Sequence, residues 1–229
     1  MLDGHHLRSA FDQRFIQIRD DLLRMGQMVD TAIDRSIQSL KERDQTLARQ
    51  IIAEDLVINA LRTTVEEECL VLIATQQPAA SDLRAVITAM FLTNEMERIA
   101  DHAAGVAKTV LRMGDEPLVK SLVDIPRMAE LARSMLKQSL DAFLARDIQA
   151  AHAIAARDDE IDRLYKNVFD ELLGIMASDP NTIPRATYLL WCGHNLERIG
   201  DRVTNIAERI VFMTTGTIED LNQSSGPGR

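Results

Sequence analysis

The chain has 229 residues, of which 46% are hydrophobic and only 4% aromatic, and its formal net charge is −9 at pH 7. This acidic balance argues against a nucleic-acid binder, which normally presents a basic face. No apolar run approaches the roughly 18 residues of a membrane-spanning helix, and the N-terminus lacks the basic and then apolar profile of a signal peptide. We therefore expect a soluble, cytoplasmic protein without direct membrane insertion.

Apolar residues near the N-terminus recur at helical spacing. From Phe11 to Ala32 the steps alternate between four and three residues, and residues 46–75 carry a strict seven-residue repeat. That repeat comprises Ile51, Ile58, Val65 and Leu72. Such spacing predicts two long helices packed along a seam, separated by a break near residues 41–44.

Proline and glycine mark the ends of the next helices. Pro78 ends the second helix, because proline disfavours helical backbone in the residue before it. Ser81 is the expected N-cap of a third helix that stops before Gly114. A fourth helix is predicted from about residue 124 to 144, and Pro180 separates a fifth helix from a sixth.

The second half of the chain repeats the first. At an offset of 103 residues, the matching pairs are Asp55 and Asp158, Ile58 and Ile161, Val65 and Val168, and Glu68 and Glu171. The offset falls to 100 by Glu97 and Glu197, so the connecting loops differ in length. We expect an all-α fold of two tandem three-helix bundles related by internal duplication. The predicted division is 1–115, 116–215 and a disordered tail at 216–229.

The sequence Glu-Arg-Ile-Ala/Gly-Asp occurs once in each repeat. Glu97 and Asp101, and again Glu197 and Asp201, stand four residues apart and therefore on one helix face. Two stacked carboxylates repel each other, and a hard cation that takes oxygen ligands would relieve that repulsion. The alternative is an ordinary solvated face. Because each pair follows a stripe of apolar residues by one position, the site should lie on the flank of the buried face, near the surface.

Further oxygen donors follow from the same alignment. They are Asp55, Asp158, Asp162, Glu68, Glu171, Asn205 and Glu208. The first repeat is poorer in donors, since Asn59 stands opposite Asp162 and Gly105 opposite Asn205. We therefore expect two metal sites of unequal affinity.

The motifs of several enzyme classes are missing from the sequence. It contains no Walker-type phosphate loop, no G-x-S-x-G elbow and no Glu-x-x-His pair of a di-iron oxidase. Cys69 and Cys192 lie inside helical patterns and are expected to be reduced, structural thiols. These observations favour a protein that is not an enzyme.

Three segments together resemble the PhoU family. They are Gln77-Pro78-Ala79-Ala80-Ser81-Asp82-Leu83-Arg84, Glu97-Arg98-Ile99-Ala100-Asp101-His102, and the stretch from Leu196 to Glu208. The resemblance covers about residues 7–215 and includes the duplication. It implies tandem three-helix bundles whose repeated E/D-x-x-x-D motif holds multinuclear iron or zinc, with magnesium, manganese or nickel as alternatives.

The resemblance also implies a function and partners. PhoU proteins restrain phosphate uptake and the phosphate-starvation response of the Pho regulon. The implied partners are the ATPase subunit of the phosphate ABC transporter, the sensor histidine kinase and a second copy in a homodimer. Since the acidic surface disfavours attachment to anionic lipid, a location at the inner membrane would come through these proteins. Two function classes stay open: a non-enzymatic adaptor, or a metal-storing or metal-dependent protein whose cluster carries the main function.

Overall fold

The computed structural model describes residues 3–221, with side chains from residue 10 onward. Its seven α-helices are α1 (Asp3–Glu42), α2 (Gln45–Gln76), α3 (Ala80–Met113), α4 (Asp124–Ala145), α5 (Ile148–Ala155), α6 (Asp158–Ser178) and α7 (Ile183–Thr215). A 3₁₀ turn, Pro180–Thr182, precedes α7. No strand is present between residues 3 and 221, which confirms the all-α prediction. Of the predicted disordered tail, residues 222–229 lie outside the described residues.

The break between α1 and α2 lies where the sequence predicts it. Arg43 adopts a left-handed backbone with φ of 56°. Asp44 then caps α2, because its carboxylate accepts the backbone N–H groups of Thr46 at 2.8 Å and Leu47 at 2.9 Å. The cap satisfies donors that the first turn of a helix leaves unpaired.

The predicted cap of α3 is wrong. Ala79, not Ser81, is the N-cap residue, and it makes no side-chain cap. The backbone carbonyl of Ala79 accepts the N–H of Asp82 at 3.1 Å, so a backbone contact closes the turn. Ser81 lies inside the first turn as a result.

The fifth predicted helix is two helices rather than one. It divides at residues 156–157 into α5 and α6, whereas the equivalent part of α2 is continuous. Three consecutive acidic residues, Asp158, Asp159 and Glu160, form the first turn of α6. Acidic groups are favoured at a helix N-terminus, which is consistent with a new helix beginning there.

Helices α3 and α7 pack antiparallel at the centre of the molecule. Arg84 near the start of α3 donates to the carbonyl of Met213 near the end of α7, at 3.2 Å. Helices α1 and α2 pack on α3, helices α4, α5 and α6 pack on α7, and α1 also contacts α4. The apolar stripes of α3 and α7 are buried, so the two motifs lie on helices held by the core. Within the described residues, no helix has the length and apolar character needed to cross a membrane.

Candidate functional site

In the first repeat, three carboxylates face one another across α2 and α3. Burial raises the pKa of Asp55, and the neighbouring Asp101 carboxylate raises it further. Burial and Asp101 likewise raise the pKa of Glu97, and Arg62 opposes the rise. These shifts show that the motif pair Glu97/Asp101 and Asp55 form one electrostatic cluster. Asn59 donates to Asp55 Oδ2 at 3.3 Å and thus lies beside it.

The second repeat gathers four carboxylates across α6 and α7. Asp158 is only 4% exposed. Burial, and then the carboxylates of Asp162 and Asp201, raise its pKa to about 7, with a smaller contribution from Glu197. The Thr204 hydroxyl lies close enough to lower the pKa of Asp158 somewhat. However, neither Asp158 oxygen has a partner that meets the geometry of a hydrogen bond. A buried, unpartnered carboxylate is rare, and here it lies inside a carboxylate cluster.

A glycine allows Asp158 to be buried. A Cβ atom on Gly200 would lie 2.5 Å from Asp158 Oδ1 and 2.9 Å from Ile161 Cδ1. The equivalent residue in the first repeat is Ala100, and there Asp55 is only partly buried. The Ala/Gly difference inside the motif therefore fits the deeper burial of the second repeat's central carboxylate.

An arginine from the motif itself bridges the second acidic pair. Arg198 Nη1 lies 3.0 Å from Asp201 Oδ2, and Arg198 Nε lies 3.4 Å from Glu197 Oε2. His194 Nδ1 is 3.5 Å from the same Glu197 oxygen. In the first repeat, Arg98 is exposed and affects Glu97 less than Arg62 does. The two repeats thus present their acidic pairs differently.

Two of the predicted oxygen donors, Glu68 and Glu171, contact residues outside the two carboxylate clusters. Glu68 faces α1, where burial and the Asp21 carboxylate raise its pKa. Glu171 is exposed and pairs with Lys120. Neither contact involves a motif carboxylate.

The remaining two donors lie further along α7. Asn205 donates to Glu95 Oε2 at 3.1 Å, and Glu208 accepts the backbone N–H of Leu221 at 3.0 Å. Seven of the eleven predicted residues therefore form the two carboxylate clusters. The other four support neighbouring structure.

Glu95 lies next to the site but is not among the residues that the sequence motifs predict. It is 5% exposed and also pairs with Arg202 Nη1 at 3.6 Å, across the α3–α7 seam. The duplication produces a counterpart contact, in which His102 Nδ1 lies 3.1 Å from Asn195 Oδ1. In each contact, one partner is the residue directly after a motif aspartate: Arg202 follows Asp201, and His102 follows Asp101. The two contacts therefore connect the two sites. The repeat alignment contains the signal, because it places Glu95 opposite Asn195 and His102 opposite Arg202.

Close packing at the same seam accounts for Gly105, the position at which the first repeat lacks the oxygen donor that Asn205 provides in the second. A Cβ atom there would lie 2.6 Å from Asn195 Oδ1. A side chain equivalent to Asn205 would therefore require the Asn195 side chain to move, and with it the contact to His102.

The donor chemistry of the clusters suits a hard cation. Both oxygens of Asp158 and Oδ1 of Asp55 are buried without hydrogen-bond partners, and carboxylate oxygens are the ligands that such cations take. In the described part of the chain, however, no three His, Cys, Asp or Glu side chains are arranged to hold one ion directly. Loading a metal would therefore require side chains such as Arg198 to move.

A family model described as the PhoU domain matches the chain twice, at residues 22–110 and 125–210. The chain belongs to the PhoU family. The two matches coincide with the two helical repeats and confirm the resemblance carried by the motifs.

PhoU relatives match along nearly the whole chain. A phosphate-specific transport system accessory protein PhoU homolog from Clostridium acetobutylicum is 37% identical over 216 residues, covering 94% of this chain and 99% of the relative. The protein of that name from Rhizobium meliloti is 36% identical over 212 residues, covering 92% and 90%.

Solved PhoU structures have the same fold. The phosphate transport system regulatory protein PhoU from Streptococcus pneumoniae superposes with a TM-score of 0.86 at 34% identity, covering 92% of this chain and 99% of that one. PhoU from Pseudomonas aeruginosa gives 0.86 at 34% identity, covering 90% and 100%. The predicted PhoU-like helical fold is thereby confirmed.

Proposed function

We propose that this PhoU-family chain is a non-enzymatic regulatory accessory protein of phosphate-specific transport. It restrains phosphate uptake and the phosphate-starvation response by binding the ATPase subunit of the transporter and the sensor histidine kinase. The observation that carries the proposal is the match along 94% of the chain to a relative named as an accessory protein of that transport system. Its place of action is the cytoplasmic side of the inner membrane, reached through these partners, and it acts as a homodimer.

Neither cysteine is suited to nucleophilic catalysis. Burial raises the pKa of Cys69 to about 12 and that of Cys192 to about 12. A nucleophilic cysteine needs a thiolate near neutral pH, and these two thiols stay protonated there. Extended helical surfaces instead suit binding to other proteins.

We further propose that both carboxylate clusters bind a divalent or multinuclear metal, with iron or zinc as the first candidates. Asp158, Asp162, Glu197 and Asp201 would hold it in the second repeat, and Asp55, Glu97 and Asp101 in the first. The unpartnered oxygens of Asp158 support this assignment, since a bound cation would neutralise a group that burial otherwise destabilises.

A deletion strain tests the regulatory function. In phosphate-rich medium, we expect its starvation genes to stay on and its phosphate or polyphosphate content to rise. Plasmid-borne wild-type protein should restore repression and should co-purify with the transporter's ATPase or the sensor kinase. Normal repression in the deletion strain would refute the regulatory function.

The same strain separates the two function classes. A variant in which Glu97, Asp101, Glu197 and Asp201 are replaced by their amides keeps the side-chain volumes but removes the anionic ligands. An adaptor that acts without metal should still restore repression. Failure to restore it, with normal folding and normal abundance, would favour the alternative in which the metal cluster carries the main function.

A further inference from the structure

The side of α2 that faces away from the core is apolar along six turns. This outer α2 face comprises Ala53, Leu56, Val57, Ala60, Thr63, Thr64, Glu67, Leu70, Val71 and Ala74, all of them exposed. Glu67 is the one charged residue among these ten. Leu56 is 71% exposed and Leu70 is 56% exposed. A contiguous exposed apolar face of this length is typical of a surface that contacts another protein.

The duplicated half shows that the fold itself does not require this face to be apolar. The equivalent positions, at an offset of 103, are Ala156, Asp159, Glu160, Arg163, Lys166, Asn167, Asp170, Leu173, Gly174 and Ala177. Five of these ten are charged, as expected of a solvated surface. The same position in the architecture thus carries a polar face in one half and an apolar face in the other, which indicates that something packs on α2.

By residue class, the outer α2 face reads nearly the same in both directions, with aliphatic residues mirroring aliphatic residues. About a centre between Thr63 and Thr64, Leu56 mirrors Val71 and Val57 mirrors Leu70. Ala53 mirrors Ala74 in the same way. A two-fold axis through this centre would bring an antiparallel second helix into register, with each leucine against a valine of the second copy. A two-fold interface uses one patch on both subunits and requires such self-complementarity.

The charge distribution favours a second copy of the chain as the partner, and it favours an antiparallel arrangement of the two α2 helices. Two chains of net charge −9 repel over most of their surfaces, and the outer α2 face is a place where they can meet with little charge. A parallel arrangement would place Glu67 directly against Glu67 of the second copy. The antiparallel arrangement places Glu67 against Ala60 and separates the two glutamates by about 10 Å along the helix, close to a Debye length.

We propose that two copies of this chain associate through their outer α2 faces, packed antiparallel about a two-fold axis near Thr63 and Thr64. This specifies the surface of the homodimer and rests on the self-association included in the proposed function. The face spans about 33 Å, so the interface lies near the lower limit of about 1,000 Å² for a specific association. The dimer should therefore be reversible, with a fraction that rises with concentration.

Two repeat-equivalent leucines provide a matched test. Leu70 is 56% exposed on the outer α2 face, and Leu173 is 51% exposed at the equivalent position of α6. In sedimentation equilibrium of the full chain over roughly a hundredfold concentration range, wild type and Leu173→Glu should both reach the dimer mass. Leu70→Glu should stay monomeric, with at least a tenfold weaker association and an unchanged helical circular dichroism spectrum.

Cysteine cross-linking tests the direction. The native cysteines are buried, so only an introduced thiol should react under mild oxidation. Leu56→Cys and Val71→Cys should each remain uncross-linked alone but form a disulfide-linked dimer when mixed, and self-linking of either variant would overturn the antiparallel arrangement. A Leu70→Glu protein that still dimerises would show that the outer α2 face is not the interface, although the chain would still self-associate. A monomeric wild type at all concentrations would overturn both, and the starvation phenotype of the deletion strain would remain a separate result.

Discussion

At the scale of single residues, Gly200 makes room for the buried carboxylate of the second motif. In Gly200→Ala, the new Cβ would lie within 3 Å of Asp158 and Ile161, so packed atoms must shift. We expect a loss of about 1–3 kcal/mol in the free energy of unfolding, measured by urea denaturation. Gly174→Ala is the matched control, because its Cβ meets nothing within 4 Å and it should gain about 0.5–1 kcal/mol. A Gly200→Ala protein as stable as the Gly174→Ala protein would show that Asp158 does not need this space.

Asp158 also predicts an unusual pH dependence. Its pKa is raised to about 7 in the folded chain from an ordinary value of 3.8. Between these values the unfolded chain releases a proton that the folded chain retains, so this residue's contribution to stability falls as pH rises from about 4 to 7. Asp158→Asn should remove that loss, making the metal-free variant more stable than wild type at pH 8, by on the order of 4 kcal/mol.

The check is urea denaturation of both proteins in chelator from pH 5 to pH 8. The advantage of Asp158→Asn should shrink as the pH falls towards 5, because the wild-type carboxyl group is then neutral as well. An advantage that is constant with pH would mean that Asp158 does not titrate in this range.

At the scale of helices, the sequence predicts what depends on local chemistry. The seven-residue repeat of Ile51, Ile58, Val65 and Leu72 is buried, as expected, and Asp44 and Pro180 mark real helix boundaries. The break before Asp158 is not predicted, because the periodicity of α5 and α6 matches that of the continuous α2. Periodicity reports which face is buried but not whether a helix bends to place one residue against a neighbouring helix.

The carboxylate clusters show the same limit. Spacing alone places Glu97 beside Asp101, and the repeat alignment adds Asp55 and Asp158. Contacts across the α3–α7 seam, such as Glu95 with Arg202, depend on how the two helices are rotated and translated in the assembled core. That information is not contained in the period of either helix, although the duplication indicates which residues correspond.

At the scale of the whole molecule, duplication places two related clusters on either side of one seam and then makes them unequal. The second cluster has four carboxylates, one of them buried and unpartnered, whereas Asn59 replaces one carboxylate in the first. Arg198 bridges the second acidic pair, so a metal entering there must displace an internal cation. More anionic ligands should nevertheless outweigh this competition, since cation affinity rises with the number of charged ligands.

We therefore expect the second repeat to hold metal more completely than the first. In untagged protein analysed by elemental mass spectrometry, Glu197→Ala/Asp201→Ala should lose more metal than Glu97→Ala/Asp101→Ala, its matched counterpart. Arg198→Ala should bind added zinc several-fold more tightly in calorimetry, whereas Arg98→Ala should bind like wild type, because the exposed Arg98 does not bridge its acidic pair. Equal loss from both double variants would contradict the inequality of the sites. Absence of metal after every loading condition would instead make the pairs Glu97/Asp101 and Glu197/Asp201 ordinary acidic helix faces. The raised pKa values of Asp55, Glu97 and Asp158 would then reflect burial and mutual repulsion alone.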